Sequence, residues 1–403
     1  MTASAFRVKA HVLSPISSAF RYPGPIAAQR RLCSKAAFVL LALFLLALSA
    51  APAAFAGPSA RVDACYNALF AGGLGWTGAD GAYSVELSEN VILWLFGDTL
   101  VGRVDDGKRD SAALIHNSVA VQRGIDPCDA SMEFFFYAGG GSCPRAFFTP
   151  GDGRGWFWPY HATRCGGTLI LFLMQVEKTD AHSLFGFRLV SPWVVVVTNP
   201  DDSPLRWEMS QHKMPWGGSG SEGELLFGSA VLNKAPFVYV YGTVDQQDDR
   251  GRTKHMILAR ARREHLVQFD RWRFYSESGW QPRLSMATLL CGDMANEYSV
   301  SFLPALGEYV AVYSESGLSR NIVARRAPMP WGPWGEAEFL YRCPEPDWEQ
   351  GVFCYAAKAH AALSSSPAEL IVSYVASATD IGQLEDDARL YRPRFLRVSF
   401  LHR

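Results

Sequence analysis

The stretch LWLFGDTLVG, residues 93–102, decides how the whole chain is read. Leu93, Trp94, Leu95 and Phe96 form an apolar run of the kind a strand shows when both faces are covered, and it ends on a glycine and an aspartate. The run recurs as LFLM at 171–174, VYVY at 238–241, VAVY at 310–313 and IVSY at 371–374, the ends stepping by 78, 67, 72 and 61 residues. Each copy follows a strand of mixed polarity: YSVEL from 83, YHATRC from 160, LLFGSAVL from 225, YSVSFL from 298 and AKAHAAL from 357. Each pair reads as a hairpin. Further strands follow in most units, among them NSVAVQ from 117, WVVVVT from 193, HMILARA from 255 and NIVARRA from 321. A unit of this size with four antiparallel strands matches a propeller blade with long loops, and radial repetition protects the strand edges. The chain therefore predicts an all-β fold, a five-bladed β-propeller in a single domain over residues 57–403, in preference to two packed sandwiches. The segment Cys65 to Phe70 is expected to complete the last blade.

Residues 1–56 read as an address rather than as fold. Arg30, Arg31 and Lys35 precede the apolar run AAFVLLALFLLALSA, and Ala54-Phe55-Ala56 supplies the small residues a signal peptidase needs. Cleavage after Ala56 implies a secreted or periplasmic protein with no membrane contact once processed; an uncleaved anchor is the alternative. The net charge of -1 leaves no broad basic field, so nucleic acid is not the expected partner. Seven cysteines follow residue 56, and in an oxidising compartment disulfides are the first reading, with Cys343 to Cys354 and Cys128 to Cys143 the nearest pairs in sequence. Neither CxxC nor HxxxH occurs, so cysteine-ligated metal is not expected.

Hairpin register says what the carboxylates do. Pairing Leu87 with Val91 across Ser88-Glu89-Asn90 sets Asp98 opposite Asp80, and directly opposed residues have Cβ atoms ~4.5–5.5 Å apart. Two close carboxyls cannot both ionise cheaply, so one pKa rises, which is the preparation acid/base chemistry needs. The same construction, pairing Leu303 with Tyr309, sets Glu297 opposite Glu315; pairing Leu232 with Phe237 sets Glu224 opposite Asp245. Two other readings stand beside this. Asp80 in an Asp-Gly turn and Asp98 at a strand end can serve the backbone, and clustered acids can hold Ca²⁺.

His116 and Asn117 open the third strand of the first unit, while His161 and His360 belong to leading strands. Trp156, Trp158 and Tyr160 form an aromatic cluster whose rings could stack on sugar faces; Trp331 and Trp334 are expected to pack between blades. There is no GxSxG elbow, no GK[ST] phosphate loop and no HExxH, and the GGG at 139–141 reads as a flexible turn.

GADGAYSVEL followed by WLFGDTLVG, with IHNSVAVQ, WPYHATRC, VTNPDDSPLRW, PWGPWGE and YRPRFLRV, resembles a secreted bacterial propeller family long filed as a domain of unknown function. Some members of that family are endo-D-arabinanases acting on cell-wall arabinan. The resemblance runs from about Asp80 to Val398, its sharpest element being FGDT with an aspartate 18 residues upstream. It implies a five-bladed propeller related in architecture to furanoside hydrolases, with Asp80 and Asp98 as the catalytic candidates. The expected function is then two-carboxylate hydrolysis of an arabinan-type polysaccharide. Asp80, Asp98 and Glu297 are the catalytic candidates, and His116, Asn117, Trp158, Tyr160, His161, Glu224, Tyr298 and His360 the substrate-binding ones. No cofactor is required, Ca²⁺ being the one candidate, and the partner is a glycan. The alternative is a non-catalytic carbohydrate-binding or Ca²⁺-dependent surface-interaction propeller.

Overall fold

A computed structural model describes residues 57–138, 143–180, 186–221, 223–248 and 251–400. The expected signal segment 1–56 and the glycine turn at 139–141 lie outside the described residues. The fold is all-β, with two six-residue α-helices, Ala64–Leu69 and Ile381–Asp386, among the described residues. Neither is long and apolar enough to cross a membrane.

Five antiparallel sheets of four or more strands succeed one another among the described residues. Their leading hairpins are Tyr83–Ser88 with Val91–Phe96, Trp156–Cys165 with Thr168–Lys178, Gly223–Lys234 with Phe237–Asp248, Tyr298–Leu303 with Glu308–Ser314, and Val352–His360 with Glu369–Ala378. The leading strands touch in a closed cycle: 83–88 against 156–165, then 223–234, then 298–303, then 352–360, which returns to 83–88. The second strand of each hairpin is therefore covered on both faces by neighbouring sheets. Ile92 to Phe96, Leu169 to Val176, Val238 to Tyr241 and Leu370 to Val375 are all buried, which is why these positions read as continuous apolar runs.

The fifth sheet is finished by Ser59–Val62, which pairs with Pro393–Ser399 and joins the two ends of the domain. This corrects the expectation placed on Cys65 to Phe70: that segment is helical, started by Asp63, whose carboxylate accepts from Tyr66 N at 3.1 Å. Cys65 is bonded to Cys128, which overturns the Cys128 to Cys143 pairing drawn from sequence proximity. Trp331 packs against Tyr239, Tyr275 and Trp280 of the third sheet.

A three-stranded sheet, Leu74–Ala79, Thr99–Asp105 and Lys108–Ile115, is built from the strand before the first sheet and the two that the chain inserts between that sheet's second and third strands. Buried Arg109 ties it to the C-terminal segment, donating to Thr77 O, Leu384 O, Ala388 O and Leu390 O. Tyr391 is positioned by this clasp.

Candidate active site

Asp80 and Asp98 occupy the seam where the first hairpin leaves its sheet for the three-stranded one. Tyr83 pairs with Leu95 in the hairpin and Ala79 with Thr99 beyond the seam, so the residue numbers of both pairs sum to 178 and the register survives the bend. Asp80 and Asp98 are then opposite one another, with Asp80 N donating to Asp98 O at 3.2 Å and Gly97 N to Asp80 O at 3.1 Å. The bend is made by Gly81 and Ala82, both at positive φ. Gly97 has a separate reason: a Cβ there would lie 2.3 Å from Asp80 Oδ1.

The two carboxyls have different surroundings. Asp80 Oδ2 accepts from Tyr355 OH at 2.8 Å and Tyr391 OH at 3.3 Å. Burial, then the charge of Asp98, then that of Glu297 push its pKa well above the usual carboxylate range. Asp98 is 23% exposed, and its Oδ1 accepts from Trp158 Nε1 at 2.9 Å and meets His116 Nδ1 at 3.0 Å. The His116 ring stacks on Trp156 at 4.3 Å, and His116, Trp156 and Trp158 are all half-buried beside Asp98.

Lys358, 1% exposed, ties this pair to Glu297. Its ammonium donates to Glu297 Oε1 at 3.1 Å, to Ala356 O at 2.6 Å and to Gly81 O, one residue from Asp80. It also lies over the Tyr83 ring at 4.5 Å. Glu297 does not face Glu315 as the sequence predicted. Leu303 pairs with Glu308 rather than Tyr309, one residue off, which leaves Ser314 as the continuation opposite Glu297. Glu224 does face Asp245, for a reason the sequence reading missed: Leu232 pairs with Tyr239, two residues off the prediction, and a bulge between Phe227 and Ala230 restores the register. Lys254 bridges the two acids at 2.8 and 2.9 Å, and Asn296 donates to Glu224 at 3.3 Å. A cavity of about 730 Å³ opens beside Glu224 and Asp245.

Three sequence candidates are closed to solvent and are corrected as ligand contacts. Asn117 donates to Phe148 O and Phe157 O and accepts from Phe148 N, so it braces the first sheet against the second. Tyr298 OH donates to Gly242 O inside the core. His360 bonds Ser84 and Ser373 through its two ring nitrogens, and burial holds its pKa down. His161 Nδ1 accepts from Val231 N at 2.9 Å, and burial lowers its pKa to about 4, so it is a neutral acceptor. Tyr160 is nearly buried, and burial followed by the charges of Glu297, Glu224 and Asp80 raises its pKa, which locates it among the acids. Tyr355, Lys358, Tyr391 and Lys254 were not singled out from sequence. Lys358 stands inside AKAHAAL, where a lysine on an otherwise buried leading strand was the available signal.

Residues 63–400 match the family described as "Domain of unknown function (DUF5005)". The chain belongs to DUF5005. No curated protein was found to match this DUF5005 chain. Among solved structures, a "putative hydrolase" from Bacteroides ovatus is 19% identical over 84% of this chain and 90% of its own, with a TM-score of 0.66. That likeness shows the fold. An exo-β-1,3-galactanase from Phanerochaete chrysosporium is 11% identical over 84% of this chain and 64% of its own, at a TM-score of 0.45. A GH43_1 enzyme from Xanthomonas citri is 12% identical over 81% and 87%, at 0.40.

Proposed function

We propose that this DUF5005 chain is a five-bladed propeller and a secreted glycoside hydrolase that cleaves furanoside, arabinan-type polysaccharide. Asp80 is the general acid and Asp98 the base or nucleophile. The observation that carries this reading is the opposed pair itself, one carboxyl whose pKa burial and neighbouring negative charge push up, the other accepting from Trp158 Nε1 beside half-buried aromatic rings. Asp80 gives its proton to the leaving glycosidic oxygen, and the Tyr355 and Tyr391 hydroxyls then stabilise the carboxylate it becomes. Asp98 takes a proton from water or attacks the anomeric carbon. The charge of Glu297 adds to burial and to the charge of Asp98 in raising the Asp80 pKa, and the half-buried Trp158 beside Asp98 is the ring placed to meet a sugar.

Ca²⁺ fits these residues poorly. The ammonium groups of Lys358 and Lys254 already lie against Glu297, Glu224 and Asp245, where a hard cation would have to displace them. The test is reducing-end release from arabinan by the wild-type protein and by Asp98→Asn. Release that falls at least about 10³-fold in the variant supports the enzyme; equal release removes Asp98 from the chemistry. Glycan binding without turnover, abolished by a chelator, would make the protein a Ca²⁺-dependent lectin instead.

A further inference from the structure

Between the fourth and fifth sheets, apart from the acid pair, two thiols and one carboxyl are enclosed together. Cys343 follows the outer strand Glu338–Arg342, and Cys354 lies on the leading strand Val352–His360; both are buried. The 3₁₀ turn Glu345–Asp347 folds the intervening segment back. The two sulfurs and a carboxylate oxygen of Glu345 come within 4.8 Å of one another. Cys354 Sγ is 3.8 Å from Glu345 Oε2, while Oε1 accepts from Tyr374 OH at 2.9 Å and lies 3.3 Å from Arg394 Nε. Arg320 donates to Cys343 O at 3.1 and 3.3 Å.

We infer that Cys343 and Cys354 are the partners of a second disulfide, formed as the chain folds in an oxidising compartment. A structural zinc would require four ligands, and among the described residues no fourth histidine, cysteine or carboxylate joins this group. The charge balance also disfavours a cation, because Glu345 already faces Arg394 and Cys343 carries Arg320 at its carbonyl. A neutral disulfide needs no counter-charge in this enclosed place. The Cys65–Cys128 bond calls for the same oxidising surroundings.

The oxidant is an external disulfide, either glutathione disulfide or the oxidised, disulfide form of a thiol–disulfide oxidoreductase. The thiolate of one cysteine attacks a sulfur of that disulfide and expels its first thiolate. The second cysteine's thiolate then attacks the mixed disulfide, forming the S–S bond and expelling the donor's other sulfur. The pair loses two electrons and two protons; the donor takes the electrons and the protons pass to solvent. Both sulfurs are shut in once the sheets close, so the exchange precedes closure. The bond anchors the start of the strand that carries Tyr355, whose hydroxyl holds Asp80.

The full chain, purified from a bacterial periplasm, is denatured without reductant in iodoacetamide and cut with trypsin. Arg342 and Lys358 bound one peptide, 343–358, that holds both cysteines and no internal Lys or Arg. This peptide is expected two hydrogens lighter than the dithiol and unalkylated, taking two carbamidomethyl groups only after reduction. Recovery of it doubly alkylated without reduction overturns the inference. So does a cross-link from either cysteine to Cys143, Cys165 or Cys291, or protection that a chelator removes with release of zinc.

Discussion

Gly97→Ala perturbs the acid pair without altering either carboxyl. The new Cβ would lie 2.3 Å from Asp80 Oδ1, and carbon does not approach so closely: contacts below 3.0 Å are essentially never observed. The carboxyl must therefore retreat by at least about 0.7 Å, the gap between those two distances. Gly97 is not among the positive-φ glycines, so alanine meets no backbone objection and the effect is steric. Asp80 cannot swing freely, because Oδ2 is held by Tyr355 and Tyr391. A retreat stretches at least the longer of these bonds, worth about 0.5–1.5 kcal/mol for a neutral acid. It also moves the proton donor, and a misplacement of about 1 Å can cost ~10²-fold in rate. Overpacking of this kind costs about 1–3 kcal/mol in stability. The expected outcome is kcat on arabinan reduced about 10²-fold with KM little changed, and a melting temperature a few degrees lower by calorimetry. A folded variant with unaltered kcat would refute the placement of Asp80 in the reaction.

Asp80→Asn should end turnover and change the pH dependence of stability. The folded pKa of Asp80 is raised, so its contribution is full below the unfolded value of about 3.9 and is lost as pH rises through the folded value. Thermal melts from acid to neutral pH should show the wild type losing ground to the Asn variant. His161 has the opposite sign: its folded pKa of about 4 lies below the ordinary 6.5, so its contribution is full above that value and is lost as pH falls toward 4. His161→Gln, whose amide oxygen can accept from Val231 N, should flatten the acid limb of denaturant midpoints measured over that window. Lys358→Met leaves the carbonyls of Gly81 and Ala356 unsatisfied, at about 1–3 kcal/mol each. Urea unfolding should show that loss, and a midpoint equal to the wild type would mean water or a neighbour replaces the ammonium.

Local register carried further into the site than the individual turns did. The sum of 178 placed Asp80 against Asp98 although the structure bulges between Glu86 and Ser88 and bends at Gly81, because both strands bend together. At Glu224 a turn misread by two residues was offset by a bulge, while at Glu297 a one-residue slip went uncorrected and named the wrong opposite residue. Asn117 and His360 resembled ligand contacts because polarity beside a strand reads the same whether it faces a funnel or braces two sheets. Burial separates the two cases.

By itself, the sequence determined the leading strands, their hairpin order and the opposition of the two aspartates, since each depends on period-2 patterning and on residues close together in the chain. Only the tertiary structure decided what surrounds the Asp80 carboxyl and pushes its pKa up. Tyr355 and Tyr391 are 275 and 311 residues from Asp80, and Lys358 is 277 from Gly81. These partners arrive through closure of the cycle of sheets, and the burial and neighbouring charge that shift a pKa exist only once that closure has excluded water.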